Sequence, residues 1–539
     1  MSCLISLPDE VLKVVLQHVP LKDRLSSCCL VNKRLQAAAV AATEQLLVFP
    51  ADPAWVDRLL IIEEFKDASP DQQLSMAPEN AGSFLVWLSH YGQHITALCM
   101  LGFPQPLQQL PCPNLELLCL EDCSLQLEPT SDGQPGVIQG CTRLTTLKLR
   151  CTLHEAGAVV DSLSSLVYLE QLSVLPIDLE RVENSIAGLS TPTLPCLQHL
   201  TSLNVMSLNS ENLLQLEGLT KLRSLQLDFG DTNVGPSSTP ALVLPTGLTR
   251  LVLWSPVEAG ILSLVPTGLQ ELVVCGEVQG PAEGPTLLLS GIDRLQHLTK
   301  LVLQPVHDLD WPAPGPVYSG LTASSNLEFL ECYDISPPAG AWPYVFPAAR
   351  TLPHLTSFEY SVDMTKMDEP DEGSVGPPSA WGLADLLCLV SCCPNLCVID
   401  GILMQLGMHV SELSRLTSLT KLCVQYASGD SDSACQSLQG LVALTRLQRL
   451  TITLDPWSGV QQFRSSLLPL TTLTALTAFV LTEVDTDPEC SIKQVMTDDL
   501  FAWLGPRVWP PNLRGLVILT HALKLYMSAA YKGWNAAKP

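Results

Sequence analysis

The chain has 539 residues, 47% of them hydrophobic and only 15% charged, with a formal net charge of −25. It is long for one compact globule and too apolar for general disorder, so several domains or an extended repeat array are expected. The acidic balance repels a phosphate backbone, which argues against nonspecific nucleic-acid binding and makes a basic protein surface the natural partner.

The first element is a helix. Leu7-Pro8-Asp9-Glu10 reads as its start, with Asp9 and Glu10 at the positive end of the dipole. Leu12, Val15, Leu16 and Val19 recur at i, i+3, i+4 and i+7, which places them on one face. Pro20 ends it, a second short helix is expected from Lys22 to Cys29, and a third runs from Asn32 into the alanines. Three short helices bury too little surface to stand alone comfortably, so the unit calls for a partner. An amphipathic hairpin that caps the following domain is the plainer alternative.

This stretch resembles the F-box, the adaptor-docking module of SCF-type ubiquitin ligases. Leu7, Pro8, Glu10, Leu12, Val15, Leu16, Val19, Leu21, Asp23, Leu25, Val31, Lys33 and Arg34 carry the resemblance, while Leu35 stands where the family often has Trp. The resemblance implies a three-helix module over residues 1–45 that binds a Skp adaptor, and through it the cullin scaffold. Leu7, Pro8, Glu10, Leu12, Val15, Leu16, Val19, Leu21, Leu25, Val31 and Arg34 are the residues it implies for adaptor contact.

Residues 46–94 read as a helical connector and cap. Trp55, Leu59, Leu60 and Ile62 suggest one apolar helix, Phe84, Leu85, Trp87 and Leu88 another, and the polar stretch Asp67 to Ala81 a loop. From Ile95 the chain is filled by L-x-x-L-x-L. Later copies begin at Leu115, Leu144, Leu169, Leu200, Leu222, Leu248, Leu269, Leu298, Leu327, Leu355, Leu396, Leu419, Leu447, Leu476 and Leu513. Most steps fall in the range of leucine-rich repeats. The last two leucines alternate in a short strand and point inward, and stacking of successive coils buries them at roughly 1.5–3 kcal/mol each. The expected fold is therefore α/β: a short F-box followed by an irregular leucine-rich-repeat solenoid over residues 95–520 with a concave parallel sheet, then a cap or tail over 521–539. Insertions are expected near 305–316, 336–347 and 364–381.

Leucines at steps of three precede several copies, as in Leu163, Leu166, Leu169 and Leu172. A coiled coil needs a period of 3.5, so a short helix running into each strand fits better. Cys112 to Leu125 looks like the cysteine-containing repeat of many F-box proteins, yet most other copies lack the Asn or Cys that satisfies backbone groups after the strand.

Nineteen cysteines with no export signal are expected as reduced thiols. Cys388, Cys392, Cys393 and Cys397 form the densest group, but no second pair completes a zinc site, so no metal or other cofactor is expected. No phosphate loop, HExxH, G-x-S-x-G or kinase signature occurs, and the expectation is a chain that does no bond chemistry itself. No sequon, no apolar leader before Leu7 and no run of about eighteen apolar residues suggest a protein of the cytoplasm or nucleus, outside the membrane.

Residues two, four and six positions after the first leucine should face outward on the concave side. That selects Arg250, Val252 and Trp254, then Glu271, Val273 and Cys275, then Lys300, Val302 and Gln304. Phe329, Glu331 and Tyr333 follow, then Ser357, Glu359 and Ser361. Exposed aromatics among charges are what protein-binding hot spots contain. Arg250, Trp254, Glu271, Lys300, Phe329, Glu331, Tyr333 and Glu359 are the candidates for binding an unknown, possibly basic, protein substrate. Trp311, Trp342, Tyr344 and the acidic run Asp368, Glu369, Asp371 and Glu372 lie in the bordering insertions. The alternative is a repeat scaffold of a cytoskeletal or ciliary assembly, outside ubiquitination.

Overall fold

Residues 1–255 and 256–539 form two compact units of a computed structural model. It describes residues 9–17, 19, 39, 45–50, 73–76, 80–107, 110–123, 138, 140–151, 163, 165–176, 197–206, 216, 218–228, 243–254, 257–275, 278–279, 284–304, 312–333, 337–338, 340–361, 381–405, 410–427, 441–454, 472–483 and 515–519. The expected helices over 22–29 and from Asn32, the acidic run, Trp311 and the tail beyond 520 lie outside the described residues, Ala39 apart.

The first unit opens with helix α1 (Asp9–Gln17) and strands β1 (Gln45–Pro50) and β2 (Gln73–Met76), followed by helix α2 (Ala81–Tyr91). Strands β3 (Ala97–Leu101), β4 (Leu117–Glu121), β5 (Thr146–Cys151), β6 (Gln171–Pro176), β7 (Ser202–Met206), β8 (Ser224–Asp228) and β9 (Arg250–Trp254) complete it. The strand order is β2-β1-β3, then β4 to β9 in sequence, every pairing parallel.

The second unit holds a small parallel pair, β10 (Val257–Glu258) and β12 (Val278–Gln279). Its main sheet contains β11 (Glu271–Cys275), β13 (Lys300–Gln304), β14 (Phe329–Tyr333), β15 (Ser357–Ser361) and β16 (Val398–Gln405). It continues through β17 (Lys421–Ala427), β18 (Arg449–Leu454), β19 (Ala478–Glu483) and β20 (Gly515–Leu519) in chain order, all parallel. Helices α3 (Gly284–Asp293), α4 (Trp342–Val345) and α5 (Leu383–Cys392) lie between its strands in sequence.

The repeat explains this order. Every one of the expected copies from Ile95 to Leu513 enters a strand two residues after its first apolar position. The next leucine then sits in register with its counterparts, as in Leu98, Leu118, Leu147, Leu172, Leu203, Leu225 and Leu251 of the first unit. Leu272, Leu301, Leu330, Phe358, Ile399, Leu422, Leu450 and Phe479 form the same row in the second. All are buried. A one-residue slip in any coil would turn its whole inner row outward, which is why the register is held.

The leucines at steps of three belong to 3₁₀ turns, whose period is three residues. Leu166 N–H donates to Leu163 O and Leu169 N–H to Leu166 O; Leu416 and Leu419, and Leu444 and Leu447, repeat the pattern. The strand entries carry a second device that the incomplete Asn and Cys pattern does not reveal. A threonine after the first leucine donates its hydroxyl to a backbone carbonyl of the preceding coil, at 3.1 Å from Thr145 to Glu116 O and 3.2 Å from Thr299 to Gln270 O. Thr201, Thr249, Thr356, Thr420 and Thr477 do the same.

Two expectations need correction. Residues 45–50 and 73–76 are strands, where the pattern suggested a helical connector and a loop. Gln-Leu-Leu-Val-Phe-Pro is short and carries its apolar residues consecutively, so neither the helical period nor L-x-x-L-x-L marks it. The second concerns Trp342. It is core, stacked on Trp381 at 4.3 Å between ring centres and meeting Tyr360 and Phe358 edge-on at 5.0 and 5.7 Å. Trp342, Phe346, Phe358, Tyr360 and Trp381 are all buried, so the insertions near 336–347 and 364–381 contribute residues to the interior.

Candidate functional site

Two surfaces present exposed apolar or charged side chains. The first is α1. Its apolar positions divide between two edges: Leu12 and Leu16 are buried within the chain, while Val11 and Val15 are 45% and 37% exposed. Lys13 between them lines a shallow groove with His94, Thr96, Asn114, Glu116 and Arg143, so α1 lies beside the first coils of its own unit. Val19 N–H donates to Leu16 O at 3.1 Å and closes the helix three residues short of Pro20. The helical period picks out Leu12, Val15, Leu16 and Val19 as one face and passes over Val11, although Val11 and Val15 stand at i and i+4. Leu7, Pro8, Leu21, Leu25, Val31 and Arg34 lie outside the described residues, as does the side chain of Glu10.

The second surface is the outward face of the parallel sheet, the side opposite the buried leucine row. In the first unit its positions form a buried apolar cluster on β1, β3 and β4, of Leu47, Ala97, Cys99, Leu101 and Cys119, and from β5 to β8 two rows of hydroxyls and amides with one lysine: Thr146, Gln171, Ser202 and Ser224, then Lys148, Ser173, Asn204 and Gln226. Arg250 and Trp254 close this unit, Trp254 with 40% of its surface exposed, and Val252 between them is buried.

The outward face of the second unit is different in kind. Lys300, Phe329, Glu331, Tyr333 and Glu359 meet there, as the offsets predict. Lys300 Nζ lies 2.7 Å from Glu331 Oε1 and 5.9 Å from the centre of the Phe329 ring. Tyr333 donates its hydroxyl to Glu359 Oε2 at 2.8 Å and lies 3.4 Å from Glu331 Oε2. Burial, then the bond to Glu359 and the charge of Glu331, push the Tyr333 phenol well above its ordinary range, so it stays a donor. Phe329 is 39% exposed. Glu271 and Gln304 flank the group on β11 and β13, whereas Cys275, Val302 and Ser357 are buried.

Two members of this surface are missing from the sequence-derived set, though the same offsets from Leu396 and Leu419 point to them. Asp400 stands four positions after Leu396 and Lys421 two after Leu419. Their side chains pair at 2.5 Å, and the hydrogen bond to Asp400 raises the Lys421 ammonium above its ordinary value. Asp400 is presented by a bulge: Asp400 and Gly401 together oppose Cys423, and Gly401 has φ +83°, a conformation that costs other residues about 1–2 kcal/mol. Cys423, half-buried on β17 opposite the bulge, is pushed up to about 12 by burial and by Asp400.

Among the described residues no group of three His, Cys, Asp or Glu side chains is arranged to hold a metal, and no helix is long and apolar enough to cross a membrane. Each unit of this α/β chain carries a repeat-like parallel sheet, and the outward face of the second unit is rich in charge and aromatics. Residues 4–40 match the family model described as the F-box domain. No curated protein sequence matches the chain.

Proposed function

We propose that this protein is a substrate receptor of an SCF-type ubiquitin ligase. The observation that carries the reading is the F-box match at residues 4–40, joined in one chain to a repeating sheet whose outward face presents Lys300, Phe329, Glu331, Tyr333 and Glu359. F-box domains bind a Skp adaptor, and α1 offers Val11 and Val15 as an apolar edge for that contact. The coils belong to the leucine-rich class by their L-x-x-L-x-L spacing. Their outward faces, with Arg250 and Trp254 in the first unit and Glu271 in the second, capture the protein to be modified. The receptor performs no bond chemistry: it holds its substrate near the conjugating enzyme and raises the effective concentration there.

The test is co-expression of the full chain with a Skp adaptor, a cullin and its RING partner, followed by purification through the chain. Stoichiometric recovery of all three, lost when residues 1–45 are deleted, supports the reading. Purification of the folded chain without adaptor would reject it in favour of a repeat scaffold outside ubiquitination.

A further inference from the structure

The outward face of β14, β15 and β16 carries three carboxylates in register. Glu331 is paired with Glu359, and Glu359 with Asp400, on adjacent parallel strands. Strands stand about 4.8 Å apart, so each acid has a like charge as its nearest same-face neighbour, an arrangement that destabilises a sheet unless cations intervene. The outer two are answered from within the chain: Lys300 lies 2.7 Å from Glu331 and Lys421 2.5 Å from Asp400. The central one is not. Among the described residues Glu359 receives only neutral donors, the Tyr333 hydroxyl at 2.8 Å and the Ser357 hydroxyl at 3.5 Å. Among the described residues no lysine or arginine lies within ion-pair distance of it, and Lys421 acts on it only at longer range. These three acids and two lysines sum to −1, and the acid without an ion pair stands at their centre, with Glu271 in register beside Lys300 and Arg449 beside Lys421.

An apolar contact lies next to it. Phe329 is one strand away and two residues back along the strand, about 8 Å from Glu359 on the sheet lattice. It is an exposed ring on a face whose middle row, from Val302 on β13, is otherwise buried or charged. Lys300 approaches this ring from the β13 side, which leaves the opposite side of the ring toward β15 for a partner. Between β5 and β8 of the first unit no two carboxylates stand in register; two of its rows there are hydroxyls and amides with Lys148.

We infer that this face docks a basic, extended segment of a partner protein, whose lysine or arginine answers Glu359 while an apolar side chain two or three positions away covers Phe329. The inference rests on the receptor reading above for its biological setting, but its chemistry is a property of this face alone. Lys300 and Lys421 serve as gates of specificity: they repel a cation from the outer acids and leave one position at which it is accepted. The hydrogen bond from Tyr333 fixes the carboxylate plane, so the incoming cation meets a pre-oriented oxygen.

The experiment uses the full chain co-expressed with a Skp adaptor and a fluorescent positional-scanning library of unstructured dodecapeptides. The expected result is selection of Lys or Arg at one position with Leu, Ile, Met or Phe two or three positions away. Glu359→Gln should weaken the selected peptide by about tenfold or more, and Phe329→Ser should remove the apolar preference while keeping the basic one. Phe329 is exposed, so this second variant reads out the site independently of any folding defect at Glu359. Selection of acidic peptides, or wild-type affinity in both variants, would overturn the inference. Tighter peptide binding after deletion of residues 526–539, which include Lys532 and Trp534, would make the chain's own tail the occupant and overturn the assignment to a partner. Adaptor recovery in the same preparation separates the two claims: basic selection without adaptor rejects the receptor reading alone, and adaptor without basic selection rejects this inference alone.

Discussion

Replacing Trp342 with alanine should damage the core of the second unit, on the buried side of the strand that carries Glu359. The side chain is 1% exposed and touches four rings: Trp381 at 4.3 Å, Tyr360 at 5.0 Å, Phe358 at 5.7 Å and Phe346 at 6.2 Å between centres. Removing a buried tryptophan costs about 3–5 kcal/mol through lost transfer energy and the cavity left behind. Well-placed ring pairs contribute about 0.5–1.5 kcal/mol each beyond burial, so the upper half of that range applies. Trp342→Phe should cost much less, on the order of 1–2 kcal/mol, because the indole N–H of Trp342 has no hydrogen-bond partner and its removal forfeits nothing polar. Each coil of a repeat array contacts only its neighbours, so the damage should be local at first. Hydrogen–deuterium exchange of β14, β15 and α5 reads it directly: protection should fall by roughly three to four orders of magnitude in the alanine variant. Exchange should change little in α1 and β3 to β5. Unchanged exchange around Trp342, with weakened partner binding instead, would refute the core assignment and return this residue to the surface.

Alkaline pH supplies a second test. Burial pushes Cys112, Cys123, Cys141, Cys332 and Cys423 up to about 12, against about 8.5 in an unfolded chain. The folded state keeps these protons where the unfolded state releases them. Their stabilising effect is therefore complete below about pH 8.5 and is lost as pH rises toward 12, by up to about 1.4 kcal/mol per pH unit for each thiol. Urea midpoints in reductant should be level from pH 7 to 8 and fall above 9; a level midpoint to pH 10.5 would contradict the burial. The same thiols should resist iodoacetamide at pH 8 in native protein, while denatured protein should titrate nineteen thiols and release no stoichiometric zinc. Gly291 and Gly320 mark close helix approaches, since an added Cβ would lie 2.5 Å from Leu262 Cβ and 2.5 Å from Leu289 O respectively. Alanine at either should lower the thermal transition of the second unit by an overpacking cost of about 1–3 kcal/mol, and an unchanged transition would mean that α3 can move aside.

The sequence made the repeating part of this fold readable because one physical demand recurs in it. A leucine that must point inward from a short parallel strand imposes its spacing, and the strand follows two residues after each copy. The 3₁₀ turns are written in the same way, as leucines at steps of three. What lacked a recurring demand was not legible. Strands β1 and β2 have no L-x-x-L-x-L. Trp342 and Trp381 sit in proline-bearing insertions, where an aromatic that packs inward and one that waits for a partner give the same local pattern; only the fold distinguishes them. The candidate face was half visible. The offsets selected Lys300, Phe329, Glu331, Tyr333 and Glu359, but the lone central acid became apparent only once register aligned Glu331, Glu359 and Asp400 and showed which lysine answers which carboxylate. On α1 the helical period found the inward edge and overlooked Val11, because two adjacent apolar faces on one helix look like a single broad one.

The most direct test of the receptor assignment is the affinity of the Skp adaptor for the full chain, measured by titration calorimetry on the wild type and on Val11→Asp/Val15→Asp. Both valines are exposed, so the substitutions leave the buried Leu12 and Leu16 in place and should not shift the thermal transition. The account predicts stoichiometric binding by the wild type and a loss of at least about 2 kcal/mol in the double variant, the scale of an interface hot spot. A wild-type chain that binds no adaptor would contradict it, and equal affinity in the double variant would show that α1 does not make the contact.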